Sequence, residues 1–493
     1  MTIDESAVAS TFGLTTEFKD LRQGRAALLP QNLGIIGQGN SASTYSLDKW
    51  RATSAGAVGA RYGYGSQLHL AAKQLLPENG DGVGTVPVDI CPLEDGYDSS
   101  PASGTIVLTG STQTKKARVR VLVNKIPSAY FTVEKDDTPA LIVNKMVPAI
   151  NGVLEMPVIA TDDNTACDLV SKWAGESANA IYVEVEAEAL GITYTVTQLT
   201  GGLVNPSAAQ VTAALGKFGV AWITMALNCL NADDTDALDA IQEFGEGKWD
   251  PLVRKPFVCF VGNTEDVVAD ATAVTDVRPT DRINAQLVAP GSRNLPFVVA
   301  ARQLARIARV ANNTPAKSYQ KQKADGITPG TDEQQWDYPV RDQAVKAGSS
   351  TVELEDGLVK IADVVTFYKP TGENPPGYRY VVTIVKLQNC IYNFNQEFTK
   401  EEWASAAIVA NSDPMVSPVA RRPKDWVSKS NQILQALGNE ALIADVANAQ
   451  KKTDAVINGS NPNRIDITVE FPVSGNANIQ NMTQVFGFLG QAA

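Results

Sequence analysis

The sequence predicts an α/β (α+β) core domain split by an inserted β-rich domain, with extended N- and C-terminal arms. Three observations predict it. Apolar runs such as 33–37 (LGIIG), 257–262 (FVCFVG) and 285–289 (AQLVA) alternate with amphipathic helical stretches on either side of residues 105–200. Within 105–200 the pattern changes to short segments of strict alternation. Both chain ends carry apolar, β-prone segments that fit neither pattern.

The chain has 493 residues, enough for about three domains. Residues 1–32 read as an arm, β-prone at 9–19 and then polar up to Pro30. The strand at 33–37 follows, and glycines 56, 59, 63 and 65 mark turns or helix ends. Residues 67–76 place Leu68, Ala71, Ala72 and Leu75 on one helical face. Residues 77–104, rich in Gly, Pro, Asp and Ser, read as a linker.

In 117–123 (ARVRVLV), Val119, Val121 and Val123 oppose Arg118 and Arg120. In 181–188 (IYVEVEAE), Val183 and Val185 oppose Glu184 and Glu186. A period of two is the strand signal, and one helix, 138–151, interrupts this region.

From residue 201 helices are expected at 208–218, 235–243 and 296–310, and strands at 221–226, 257–262 and 285–289. Pro296 suits the first turn of its helix. Phe297, Ala301, Leu304, Ile307 and Ala311 line one face, and Arg302, Arg306 and Arg309 the other. Residues 312–340 read as a long polar loop. Asp356-Gly357 between two apolar runs is a hairpin signal. A strand is expected at 378–387, a capping box at 399–402 opening a helix through 409, and two helices between 423 and 452. Residues 464–471 alternate cleanly, and 482–493 (MTQVFGFLGQAA) are a second apolar segment. The resulting partition is 1–32 arm, 33–98 core, 99–204 insertion, 205–390 core and 391–493 C-terminal domain with its strand arm.

Charge and composition narrow the function. Lys plus Arg number 42 and Asp plus Glu 54, for a net charge of −12. A surface of that sign disfavours broad nucleic-acid binding. No apolar run reaches the length of a membrane span. The acidic, polar start is unlike a signal peptide. Five widely spaced cysteines without C-x-x-C read as reduced, buried thiols of a cytoplasmic setting.

Catalytic patterns are sparse. Residues 37–42 (GQGNSA) fit a dinucleotide-binding loop after a strand. The acidic residue expected about twenty positions on is missing, and no amphipathic helix opens there. His69 is the only histidine, too few for a zinc site or a convincing triad. Asp162-Asp163 and Asp233-Asp234 read as turn or helix-start residues. No cofactor and no metal is expected. The arginine stripe reads first as a solvated face and second as a contact for an acidic neighbour.

The order of motifs resembles the Mu-type phage tail sheath family. The carriers are 29–39 (LPQNLGIIGQG), 63–76 (GYGSQLHLAAKQLL), 194–202 (YTVTQLTGG), 338–368 with its Asp356-Gly357 turn, 464–472 and 483–489. Residues 263–290 and the basic loop 317–323 depart from it. The resemblance implies a non-enzymatic protomer of hexameric rings stacked around a tail tube. It implies baseplate and tail-terminator partners, virion location and assembly in the host cytoplasm. Apolar terminal strands are a liability unless another chain pairs with them. Inter-subunit strand exchange is therefore expected through Phe12, Leu14, Ile465, Ile467, Val469, Phe471, Val485, Phe486 and Phe488. The alternatives are a soluble dinucleotide-binding enzyme using residues 37–42 and a static virion structural protein.

Overall fold

The computed structural model describes residues 25–188, 190–373, 376–414, 417–480 and 482. Phe12, Leu14, Val485, Phe486 and Phe488 lie outside the described residues. The chain forms two compact units, Leu28–Gln388 with Asn476–Ala493, and Met1–Ala27 with Asn389–Gly475.

The strands are β1 (Leu33–Gln38), β2 (Trp50–Ala52), β3 (Val88–Leu93), β4 (Pro101–Thr109), β5 (Ala117–Val123), β6 (Ile126–Pro127), β7 (Phe131–Val133), β8 (Val158–Asp163), β9 (Ala166–Ala174), β10 (Val183–Ala187), β11 (Thr193–Thr200), β12 (Met225–Asn228), β13 (Val258–Asn263), β14 (Asn284–Val288), β15 (Ser349–Glu355), β16 (Leu358–Asp363), β17 (Ala407–Ile408), β18 (Ala420–Arg421), β19 (Asp454–Ile457) and β20 (Ile465–Thr468).

The larger unit is built on one eight-stranded sheet in the order β16-β15-β14-β13-β12-β1-β3-β2. Its six central strands are parallel. Parallel strands covered on both faces read as continuous apolar runs, which is why β1, β12 and β14 are buried at every position. Helix Pro296–Asn313 packs against β13, with Phe297, Leu304 and Ile307 buried. That approach is close: a Cβ at Gly262 would overlap the Pro296 carbonyl, so only glycine fits there.

Residues 77–104 are more than a linker, because β3 lies within them as the neighbour of β1. The clustered Gly, Asp and Pro on both sides hide a six-residue strand that is wholly buried. Pro92, which has no N–H to donate, sits past the end of β2, whose pairing stops at Ile90.

Between β3 and β12 the chain leaves the large sheet and forms two others. One has the order β11-β4-β9-β8, and in the other β5 pairs with β10, β6 and β7. Helix Pro139–Asn151 accompanies them. At the neck of this segment Ser100 and Leu203 pair backbone to backbone, with N–H···O distances of 3.1 and 3.3 Å.

The Asp356-Gly357 turn joins β15 to β16, with φ of 53° and 72°. The loop after residue 313 is shorter than expected, because Tyr338–Lys346 is helical.

Two C-terminal expectations are corrected. Of residues 378–387, read as a strand from the β-branched run VVTIV, 381–387 belong to helix Val381–Phe398, and Tyr380 alone keeps a β-bridge, to Val365. Buried Val381, Val382, Ile384, Val385 and Gln388 follow a helical period, and packing overrides the local preference. The helix expected after Thr399 covers only Glu401–Ala404. Lys400 is its N-cap without a side-chain bond, and the Thr399 hydroxyl donates instead to the Asn395 carbonyl at 2.6 Å. The chain then enters β17.

In the smaller unit helices Pro423–Asn439 and Val446–Lys451 accompany the antiparallel pair β19–β20. Phe394, Phe398, Trp403 and Trp426 form an aromatic chain. Beside it Glu397 accepts from Lys400 at 2.6 Å, Lys429 at 2.8 Å and Trp403 Nε1 at 3.0 Å.

Candidate assembly surfaces

The loop at 37–42 is closed to a dinucleotide. A pyrophosphate is held by free amides at a helix start, but the chain runs from β1 through turns into β2. Gln38 N donates to Gln67 Oε1 at 2.9 Å and Gly39 N to Tyr45 Oη at 3.1 Å. Cys229 and Tyr45 fill the space beside Gly37 and Gly39.

His69 has a structural part. It is buried, its Nδ1 accepts from Gly65 N at 3.0 Å, and Tyr64 packs edge-on against it. Burial, with Lys73 adding to it, lowers its pKa to about 4. All five cysteines are buried and unpaired. Burial pushes the thiols of Cys91, Cys167 and Cys390 up to about 12. Among the described residues no cluster of three His, Cys, Asp or Glu is placed to hold a metal ion.

The arginine stripe is occupied by the chain itself. Arg309 Nη1 meets Asp81 Oδ1 at 2.6 Å, Arg302 Nη1 donates to the Asp81 carbonyl at 3.2 Å, and Arg306 donates to Gln322 Oε1 at 2.9 Å. These bonds hold the loop around Asp81 and leave the stripe less available to a neighbour than a solvated face would be.

The described candidates for exchange lie in and after β20. Ile465 and Ile467, both half-buried, pair with Ile457 and Ala455 of β19 in the same chain. That sheet has two strands, so among the described residues the outer edge of β20 carries no ladder. Val469 and Phe471 continue beyond the strand, also half-buried. The chain is then tied back by Ala444 N, which donates to the Pro472 carbonyl at 2.9 Å.

Near both ends of the described chain lie polar contacts that sequence reasoning missed, since asparagines in irregular segments carry no periodic signal. In the smaller unit Asn393 bonds the backbone of Ala27. In the larger one Asn476 Nδ2 donates to the Ala316 carbonyl at 2.9 Å and Ser318 Oγ to Asn478 Oδ1 at 2.9 Å. Lys386 Nζ donates to Asn476 Oδ1 at 2.8 Å. Burial lowers the Lys386 pKa to about 8.

A cleft of about 580 Å³ lies outside the carboxyl ends of β12, β13 and β14. Asp233, Glu265 and Asp270 line it with Arg293, whose guanidinium lies 4.1 Å over the Tyr182 ring. It holds no histidine or cysteine nucleophile paired with a base; its one cysteine, Cys229, has a pKa raised by complete burial.

No family model matches the chain. It is 25% identical over 349 residues to the Mu-like prophage FluMu tail sheath protein of Haemophilus influenzae, covering 69% of each chain. It is similar in fold to the sheath tail protein of Listeria innocua, with a TM-score of 0.50, 12% identity, and coverage of 92% of this chain and 94% of that one. The sheath tail protein of Desulfitobacterium hafniense follows with a TM-score of 0.46, 13% identity, and coverage of 90% and 93%. The resemblance to tail sheath proteins read from the motifs is thus borne out, and the relatives named are structural proteins, not enzymes.

Proposed function

We propose that this chain is the protomer of a contractile tail sheath, a mechanical component of a phage-like particle. The observation that carries the reading is the 349-residue match to a tail sheath protein, supported by the mixed α/β fold shared with another.

In this reading the protomers form hexameric rings stacked around a tail tube, with baseplate and terminator proteins at the two ends. They assemble in the host cytoplasm and remain in the virion. In this reading the core is residues 33–98 and 205–390 around the inserted 99–204, and 391–493 are the C-terminal domain with its strand arm. Phe12 and Leu14 at one end, and Val485, Phe486 and Phe488 at the other, pair with neighbouring chains along open edges such as that of β20, beside Ile465, Ile467, Val469 and Phe471. Five or six inter-chain backbone bonds at about 1 kcal/mol each, with the buried apolar side chains, supply on the order of 5–10 kcal/mol. Such tethers hold while rigid bodies slide from a long lattice to a short one, driving the tube through the host envelope. The energy is stored at assembly in a bistable interface, and no nucleotide is consumed.

The test is truncation. Chains lacking residues 1–20 or 481–493 should fold, with unchanged circular dichroism, yet form no long sheaths in electron micrographs. Normal sheaths from either truncation would remove strand exchange. Two helical lattices of different pitch in one wild-type preparation are expected of a contractile sheath, and a single lattice of a static virion protein.

A further inference from the structure

The two ends of the parallel sheet in the larger unit carry opposite, unpaired charge. At the amino ends, the loops before β12 and β13 are clamped together, with Trp222 Nε1 donating to the Pro256 carbonyl at 3.0 Å. Their tips are apolar and project outward: Val220 and Leu252 are each 90% exposed. Around Val220 three lysines converge on consecutive carbonyls. Lys49 Nζ reaches Phe218 O at 3.5 Å, Lys248 Nζ reaches Gly219 O at 3.2 Å, and Lys255 Nζ reaches Val220 O at 2.5 Å. None of the three forms an ion pair among the described residues, although acids outnumber bases in the chain. Burial lowers the Lys248 pKa, and the neighbouring Lys255 lowers it further. The result is a greasy knob inside a basic collar.

At the carboxyl ends lies the cleft described above. Its walls include the half-buried Ala232 and Val274, and Asp233, Glu265 and Asp270 stand at it without an ion pair among the described residues, beside Arg293, whose guanidinium is held over the Tyr182 ring. Burial raises the Glu265 pKa, and Asp270, Asp266 and Asp233 raise it further. Exposed apolar side chains within a charged rim mark a docking surface. Charge complementarity of rim to rim selects the partner.

We infer that the Val220–Leu252 knob of one protomer docks into the Asp233–Glu265–Asp270 cleft of a second copy of this chain. The two patches sit at opposite ends of one sheet, so the contact is heterologous, head to tail. Repetition of such a contact gives a closed ring or an open helix, according to its rotation. The inference rests on the self-assembly reading above and gives it a core-to-core contact separate from the arms.

The test uses the full chain, mixed from ¹⁴N- and ¹⁵N-labelled preparations and treated with a carbodiimide, which joins amines to carboxylates in contact. The expected products are mixed-isotope peptides linking Lys49, Lys248 or Lys255 to Asp233, Glu265 or Asp270. Reversing the collar with Lys248→Glu and Lys255→Glu should lower the yield of the links made by the retained Lys49 amine about tenfold. Asp233→Lys and Glu265→Lys in the partner chain should restore assembly of that mixture, scored by sedimentation. Normal sheaths without these links would overturn the docking and leave the sheath reading standing. Links without any tubular polymer would keep the docking and overturn the sheath reading. Absence of both would overturn both.

Discussion

Asn393 grips the backbone of Ala27 with both ends of its amide: Oδ1 accepts from the Ala27 N–H at 2.9 Å, and Nδ2 donates to the Ala27 carbonyl at 2.8 Å. A side chain here does what a paired strand would do, 366 residues away in sequence. Nδ2 also reaches the Asn389 carbonyl one helical turn back, which fixes the amide plane.

Replacing it by alanine should therefore loosen the backbone at Ala27 without unfolding the unit. Both Ala27 bonds are exposed, so water replaces them and the cost is about 1 kcal/mol. Hydrogen exchange of the peptide spanning residues 25–28 should accelerate in Asn393→Ala and stay slower in Asn393→Asp, which keeps the acceptor. Equal rates in wild type and the alanine variant would dismiss the grip.

The turn between β15 and β16 tests backbone conformation in isolation. Gly357 has φ of 72°, and a Cβ there would meet nothing within 4 Å. Gly357→Ala should cost about 1 kcal/mol from the left-handed backbone alone. Asp356→Asn, at φ 53°, should cost nothing measurable. Denaturant midpoints of the two variants provide the comparison; a midpoint unmoved by the alanine would mean the turn relaxes to another type.

His69 makes stability depend on acidity. Its folded pKa is lowered from 6.5 to about 4, mainly by burial. Between those values the unfolded chain binds the proton and the folded chain does not, so stability is lost as pH falls from about 6.5 to 4. Above 6.5 the histidine contributes no pH dependence. The loss amounts to a few kcal/mol at most. Because carboxylates titrate in the lower part of that window, the measurement is the difference between wild type and His69→Gln, whose amide can still accept from Gly65 N. Parallel stability–pH curves between 4 and 6.5 would contradict the assignment.

Much of the fold was legible where one signal acted alone. Pro296 and the apolar face behind it define their helix, and Asp356-Gly357 defines its hairpin. The strands of the insertion alternate because each has one buried face, as in β4, where Ala102, Gly104, Ile106 and Leu108 face inward. Reading failed where signals conflicted. Val381 to Val385 prefer extended backbone one by one, yet burial on a helical period decides their state. Val88–Leu93 carries a proline and sits among turn residues, so its place beside β1 was hidden. The assembly surfaces were less legible still. The lysine collar draws on Lys49, Lys248 and Lys255, and the cleft on Asp233, Glu265 and Asp270. Neither grouping exists until the fold brings these distant segments together.

The neck at Ser100 and Leu203 has a consequence for change over time. Because the chain leaves and returns side by side, joined by its own backbone bonds, the insertion enters the fold through one closed doorway, and Trp173 against Phe297 and Gln38 on the Ala174 carbonyl seat it on the core. Changes of length in those of its segments that make no such contact alter neither the spacing of β3 from β12 nor the strand between them. Selection can remodel those segments while the sheet beneath is inherited unchanged.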